Sequence, residues 1–272
     1  VRLGLALPHA EGAVGPVTGE AVLAAARRVE EAGFASLWCF DAIGRGFIVP
    51  DPLVALAAAA AATRRVELGT CILQVPLRRP VELARSVLTT HLLAGGRLLL
   101  GVGAGSTRDD FEAVGVDFDR RMALLGEGLD VMRRLWRGER VGAAALSPWP
   151  AALGGPPVLI GSWSGEHWIP RAAREFDGWI GSGHRSSFAT FAEGIRRYRA
   201  AGGTRAILTN VPVDLAAPTG PLPDDVPFHL RCAPDEAARR LRRVAELGFD
   251  DCVLVAARAG AGDLAAIRRL LD

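Results

Sequence analysis

The stretch Leu98-Leu99-Leu100-Gly101-Val102-Gly103-Ala104-Gly105-Ser106 is an apolar run that dissolves into three glycines at alternate positions. It reads as a buried strand, and glycine at its end accepts positive φ or lets another group approach the backbone closely. Such a strand ends beside a ligand or at a sharp bend. A dinucleotide-binding loop fails on spacing: after Gly101 and Gly103 the third small residue belongs at position 106, which is Ser106, and the unit lies far from the N-terminus.

Outward from this stretch one β-loop-α unit recurs. Short apolar runs at 2–7, 35–40, 66–72, 97–102, 158–160, 178–180, 206–213 and 252–255 read as strands. Between and after them, 19–32, 52–62, 80–93, 119–136, 168–176, 187–201, 234–247 and 263–271 read as helices. In the first helix Ala21, Val22, Ala25, Ala26 and Val29 share a face before Gly33 ends it, and Pro52 opens the second at its first turn. Strict alternation of eight strands and eight helices favours an α/β fold of one closed parallel (β/α)8 TIM-like barrel, for which about 250 residues is typical. One domain is expected over 1–272, with a long Gly-, Ala- and Pro-rich connection at 138–157 and an irregular proline-rich loop at 216–227.

Composition excludes several function classes. All 32 basic residues are arginine, which points to a GC-rich genome such as those of actinobacteria. The net charge is only +2 and the arginines sit among acidic neighbours, so nucleic-acid binding is disfavoured. The absence of lysine removes Schiff-base chemistry. No apolar run approaches the roughly 18–20 residues that span a bilayer, and the first residues read as a strand and not as an export signal, so a cytoplasmic protein is expected. Cys39, Cys71, Cys232 and Cys252 show neither CxxC spacing nor clustered histidines; reduced thiols and no metal site are expected.

Taken together, Asp51-Pro52-Leu53-Val54-Ala55-Leu56, Leu68-Gly69-Thr70, Gly95-Gly96-Arg97-Leu98, Gly101-Val102-Gly103-Ala104-Gly105, Leu159-Ile160-Gly161 and Asp177-Gly178-Trp179-Ile180 resemble the bacterial luciferase-like monooxygenase superfamily, in its shorter members. Each pattern is weak alone; their order and spacing are specific. The resemblance implies a barrel that uses reduced FMN or the reduced deazaflavin coenzyme (factor 420), with the isoalloxazine at the C-terminal ends of the strands. It implies a non-proline cis peptide at Cys71-Ile72 behind the ring, and a floor of Gly103, Gly105 and Ser106 beside it. It also implies a phosphate site at Gly161-Ser162-Trp163-Ser164-Gly165, where glycine, serine hydroxyls and a helix N-terminus suit an anion. A helix start capped by Ser164 is the alternative reading.

Two departures matter. In alcohol and sugar-phosphate dehydrogenases of the deazaflavin branch a histidine follows the aspartate after the second strand and a glutamate follows the fourth-strand glycines; here Asp41 is kept, but those places hold Ala42 and Ser106. Oxidising an alcohol needs a group to take its proton, so this chain is not expected to run that reaction in that way. The candidates left for proton handling are His9, Asp41 and His184 at the barrel end where active sites belong. Arg45 and Arg108 read as solvated charges, and Trp163 and Trp179 as ring contacts or core. His91, His167 and His229 carry no signal. The expected function is therefore a flavin-dependent monooxygenase acting on a small organic substrate, supplied by a separate flavin reductase and forming a homodimer. Hydride transfer from reduced deazaflavin to an imine or activated alkene is the alternative, and a non-catalytic flavin- or metabolite-binding barrel a third.

Overall fold

A computed structural model describes residues 1–7, 18–46, 48–163, 167–256 and 261–271. Its centre is a closed ring of eight parallel strands: Arg2–Ala6, Ser36–Cys39, Glu67–Thr70, Leu98–Gly103, Val158–Gly161, Gly178–Ser182, Ala206–Asp214 and Asp251–Val255. The eighth strand pairs with both the seventh and the first, which closes the barrel. Each strand expected from the sequence is present within one or two residues of its place, apart from the third. That strand leaves the ladder at Cys71, whose peptide bond to Ile72 is cis, and a short Leu73–Gln74 segment resumes pairing with the fourth strand.

The leucine run at the start of the fourth strand is continuous because both of its faces are buried. Leu98, Leu100 and Val102 belong to the layer between strands and helices, whereas Leu99 faces the barrel axis with Trp38, Cys71, Leu159, Ile180, Ile207 and Val253. Trp38 occupies much of the interior, and Gly4 and Gly69 leave it room: a Cβ on Gly69 would overlap its ring, and one on Gly4 would lie 3.1 Å from Nε1. Its Nε1–H donates to Ser36 Oγ at 2.8 Å, so the buried indole keeps a partner.

The helices begin where local chemistry starts them. Asp51 Oδ1 accepts the Leu53 and Val54 N–H groups ahead of Pro52–Ala62, and Ser187 accepts Thr190 N–H ahead of Phe188–Ala200. Proline opens Pro52–Ala62, Pro80–Leu93 and Pro234–Glu246. A five-residue helix, Arg108–Glu112, was not expected; it is too short to carry a helical period. The 138–157 connection holds a 3-10 turn at Pro150–Ala152 and folds over Trp136: Gly154 N–H donates to Trp136 O, and Gly155, at φ 75°, sits where a Cβ would lie 2.5 Å from the Trp136 ring.

At the N-terminal mouth of the barrel, opposite the active-site end, Arg2, Glu67, Arg205 and Asp251 form a closed ring of ion pairs at 2.7–3.1 Å. Arg2, Glu67 and Asp251 lie on the first, third and eighth strands and Arg205 immediately precedes the seventh, so side-chain charge ties together parts of the barrel that do not all share a ladder.

Candidate active site

A cavity of about 630 Å³ opens at the C-terminal ends of the strands. Its floor includes Cys71, Ile72 and Ile180, with Gly103, Gly105, Ser106, Gly161, Ser162 and Trp163 around them. Those residues that the resemblance assigns to the cofactor and that are described thus line one cavity, with one refinement. The room released by the glycines is already used within the fold: a Cβ on Gly103 would lie 2.9 Å from Ile72 Cδ1, and one on Gly161 would lie 2.5 Å from Ile72 Cγ2. Gly105 has φ 81°, and a Cβ there would overlap Gln74 Oε1 and lie 3.0 Å from the Phe111 ring. The glycines therefore seat Ile72 and Gln74, and these two side chains line the cavity.

Asp41 lines the cavity with its carboxylate already engaged. Arg78 donates to both oxygens, at 2.6 and 2.9 Å, and Gln74 N–H donates to Oδ2 at 2.8 Å. Burial opposes the charge on Arg78, but its pairing with Asp41 and Asp51 holds its pKa above the ordinary value. Behind this pair lies a second, fully buried carboxylate. Asp110 accepts from Ile43 N–H at 2.9 Å, from Arg45 at 2.5 and 3.1 Å, and from Gln74 Nε2 at 3.1 Å. Because Gln74 Nε2 also donates to Asp41 O, both of its neighbours are acceptors and the amide has one orientation; Oε1 is left without a partner among the described residues. Arg45, read from sequence as a solvated charge, is instead held by the buried Asp110. Arg108 does sit in solvent, 3.5 Å from the exposed Asp119.

His184 lines the rim and is solvent-exposed. His9 and Ser164 lie outside the described residues, as does most of the loop that follows Trp163. Ahead of that loop Ser162 N–H donates to Ile180 O and Ser162 O accepts from Trp179 Nε1, so this residue's backbone is tied to the sheet. Trp163 is 45% exposed at the rim, whereas Trp179 is fully buried, facing Tyr198 and Phe249 in the outer layer. His91 is buried on its helix, where desolvation lowers its pKa, and His229 accepts from Arg231 N–H. All four cysteines are buried and free; burial pushes the Cys71 thiol well above its ordinary range, so it is not a nucleophile.

Other lining residues carried no sequence signal. Asn210, at φ 58°, sits where the pairing of the seventh and eighth strands jumps from Leu208↔Cys252 to Val211↔Leu254, a bulge that a one-residue insertion produces. Ser182 shares the barrel-facing side of its strand with Ile180, and its buried Oγ has no partner among the described residues. Phe118, Met122, Leu125 and Trp168 make an apolar wall. Among the described residues no group of His, Cys, Asp or Glu could hold a metal ion.

The chain is 37% identical over 138 residues to an uncharacterised protein of Mycobacterium tuberculosis, a match spanning 48% of this chain and 49% of that protein. It thus spans about half the length of the curated relatives it matches. It is also 34% identical over 122 residues to an F420-dependent glucose-6-phosphate dehydrogenase of Amycolatopsis mediterranei, covering 42% of this chain and 37% of that one. Among solved structures, the monooxygenase RslO1 from Streptomyces bottropensis superposes with a TM-score of 0.81 over 99% of this chain and 97% of its own, at 21% identity, a likeness of fold. The luciferase-like monooxygenase profile matches residues 2–219, most of the barrel just described. This chain belongs to the luciferase-like monooxygenase family.

Proposed function

We propose that the chain is a flavin-dependent oxidoreductase that binds reduced FMN in the C-terminal cavity and oxygenates a small organic substrate with dioxygen. The observation that carries this reading is the chemistry of the cavity wall: an apolar floor of Cys71, Ile72 and Ile180, a buried Ser182 hydroxyl with no partner among the described residues, and Ala42 and Ser106 in place of a base and an acid. A planar isoalloxazine suits such a floor, and a ring-edge acceptor would satisfy Ser182 Oγ. Bound there, the cofactor supplies the redox chemistry that no side chain of this cavity can supply.

The chain's own residues then bind, orient and dry the site. Ile72, supported by Gly103 and Gly161, fixes the height of the floor. Phe118, Met122 and Leu125 keep water from one wall, and a dry site favours reaction over leakage. Asp41 is a scaffold anion because Arg78 occupies both oxygens, and the candidates for proton handling are then His184 at the rim and His9, which lies outside the described residues. A second reading, hydride transfer from reduced deazaflavin to an imine or activated alkene, is supported by the relative named as F420-dependent. In the first reading the partners are a separate reductase and a second copy of the chain, and the place of action is the cytoplasm. No described helix is long and apolar enough to cross a membrane.

Titration of the purified protein with FMN and with the deazaflavin, followed by turnover of the reduced complex under air and under nitrogen, tests the proposal. FMN binding with oxygen-dependent product formation is expected. Binding of the deazaflavin alone, with turnover under nitrogen, replaces the first reading with the second. Binding without turnover over a broad substrate panel defeats both.

A further inference from the structure

We propose that Met122 is a modification site: peroxide converts its thioether to the sulfoxide, and the sulfoxide weakens ligand binding in the cavity whose wall this residue helps to form. The chain carries six sulfur-bearing side chains, four cysteines and two methionines. Cys39, Cys71, Cys232, Cys252 and Met132 are buried. Met122 is 43% exposed, and it lines the cavity. Both methionines lie on the helix Arg121–Trp136, so they differ in exposure and not in secondary structure. The main rival is Cys71, which lines the same cavity. Peroxide attacks a thiolate, however, and burial pushes this thiol well above its ordinary range, so it stays protonated. A thioether has no proton to lose, and access decides its reactivity.

The source of oxidant rests on the reading above. Dioxygen that takes two electrons and two protons from a bound reduced flavin, with no substrate present, leaves as hydrogen peroxide. Transfer to Met122 is then a two-electron step. The sulfur lone pair attacks one peroxide oxygen, an S–O bond forms as the O–O bond breaks, and the departing hydroxide takes the proton, which gives sulfoxide and water. Sulfur is oxidised and peroxide oxygen is reduced. The effect follows from the neighbours on the wall, Phe118, Leu125 and Trp168. A flexible apolar side chain among them becomes a dipolar S=O group, which draws water to a surface that an apolar ligand face would otherwise cover.

Peptide mass spectrometry after brief exposure to hydrogen peroxide, with no flavin present, reads the site. Met122 should gain one oxygen at least about tenfold faster than Met132, and its rate should not change when the pH is raised by about one unit. Equal rates at the two methionines, or oxidation of a cysteine ahead of Met122, overturn the proposal. Riboflavin titration reads the effect. Peroxide-treated protein should bind about threefold or more weakly, M122Q should bind weakly without peroxide, and M122L should keep its own affinity through the treatment. A methionine sulfoxide reductase should reverse both the mass and the affinity change. Oxidised protein that binds as the untreated protein does, or M122L that loses affinity as the parent does, also overturns the proposal. Thermal unfolding checks that each variant folds. Incubation with FMN and an NADH-dependent flavin reductase in air, with catalase removing peroxide from solution, tests the source. Oxidation of Met122 in air and none under nitrogen is expected. If air gives none while added peroxide still selects Met122, the flavin falls as the source and the site stands. If riboflavin does not bind the untreated protein, the flavin reading and the effect on binding fall together, and the masses alone decide the site.

Discussion

Gly101→Ala adds one methyl group at the most crowded point of the fourth strand. The new Cβ would overlap the Thr70 carbonyl oxygen and lie 2.5 Å from Ile180 Cδ1. Carbon atoms pack at about 3.5–4.0 Å, so Ile180 alone must retreat by about 1 Å or more. Ile180 can rotate, but the Thr70 carbonyl is main chain and moves only with the third strand. Overpacking a filled core costs about 1–3 kcal/mol, and a backbone obstacle puts this site in the upper part of that range. Replacing glycine at an ordinary φ returns about 0.4–1 kcal/mol through the unfolded chain. The net expectation is a loss of about 2 kcal/mol. At roughly 2.1 cal/mol/K of unfolding entropy per residue, this lowers Tm by about 4 °C in a chain of 272 residues. Urea unfolding followed by far-UV circular dichroism measures it, with Gly19→Ala as control, because nothing lies within 4 Å of a Cβ there. A Gly101→Ala protein whose stability stays within about 0.5 kcal/mol of the parent, the range of an inert surface change, refutes the steric account of this glycine.

Gly105→Ala forces a side chain into φ 81° and against Gln74 Oε1; a loss of about 2–3 kcal/mol in chemical denaturation is expected from the αL cost and the crowding together. Asp110→Ala strands Arg45 and the Ile43 and Gln74 donors around a buried site. Because Arg45 is about a third exposed and can turn to solvent, about 2–3 kcal/mol is expected, the low side for a broken buried pair, and unchanged urea midpoints count against that network. Glu30 accepts the N–H groups of Arg64, Arg65 and Val66; burial raises its pKa, but these three donors outweigh it and the net pKa lies below the ordinary 4.5. A lowered folded-state pKa means stability that is present above 4.5 and is lost as pH falls through the folded value. Glu30→Gln should flatten the acid limb of a stability–pH curve by about 0.5 kcal/mol, discounted because the carboxylate is partly solvated, and an acid limb parallel to the parent's contradicts it.

Much of the fold was legible because its signals are local. Proline at the start of the second helix, the apolar face of the first helix and the eight apolar runs are each properties of a few neighbouring residues, and the caps that Asp51 and Ser187 make in the structure are equally local. The helix at Arg108–Glu112 was missed because five residues make little more than one turn. In the candidate site, Ile72, Gly103, Gly161 and Trp163 were singled out through the motif pattern, and the structure has them line one cavity. Gln74, Asp110, Ser182 and Asn210 were missed because nothing beside them in the chain marks them. Gln74 owes its orientation to Asp41 and to Asp110, 33 and 36 residues away.

By itself the sequence determined the barrel and the chemistry it excludes. Period, capping and turn residues are local properties, and the absence of lysine, or of an acid at position 106, is a fact of composition that no folding can alter. Tertiary structure alone decided which charges are free. Arg45 and Arg121 look alike in a string of arginines, yet one meets a buried carboxylate 65 residues away and the other, among the described residues, an aromatic ring and a carbonyl. Charge compensation depends on distance in space, and closing the barrel sets those distances.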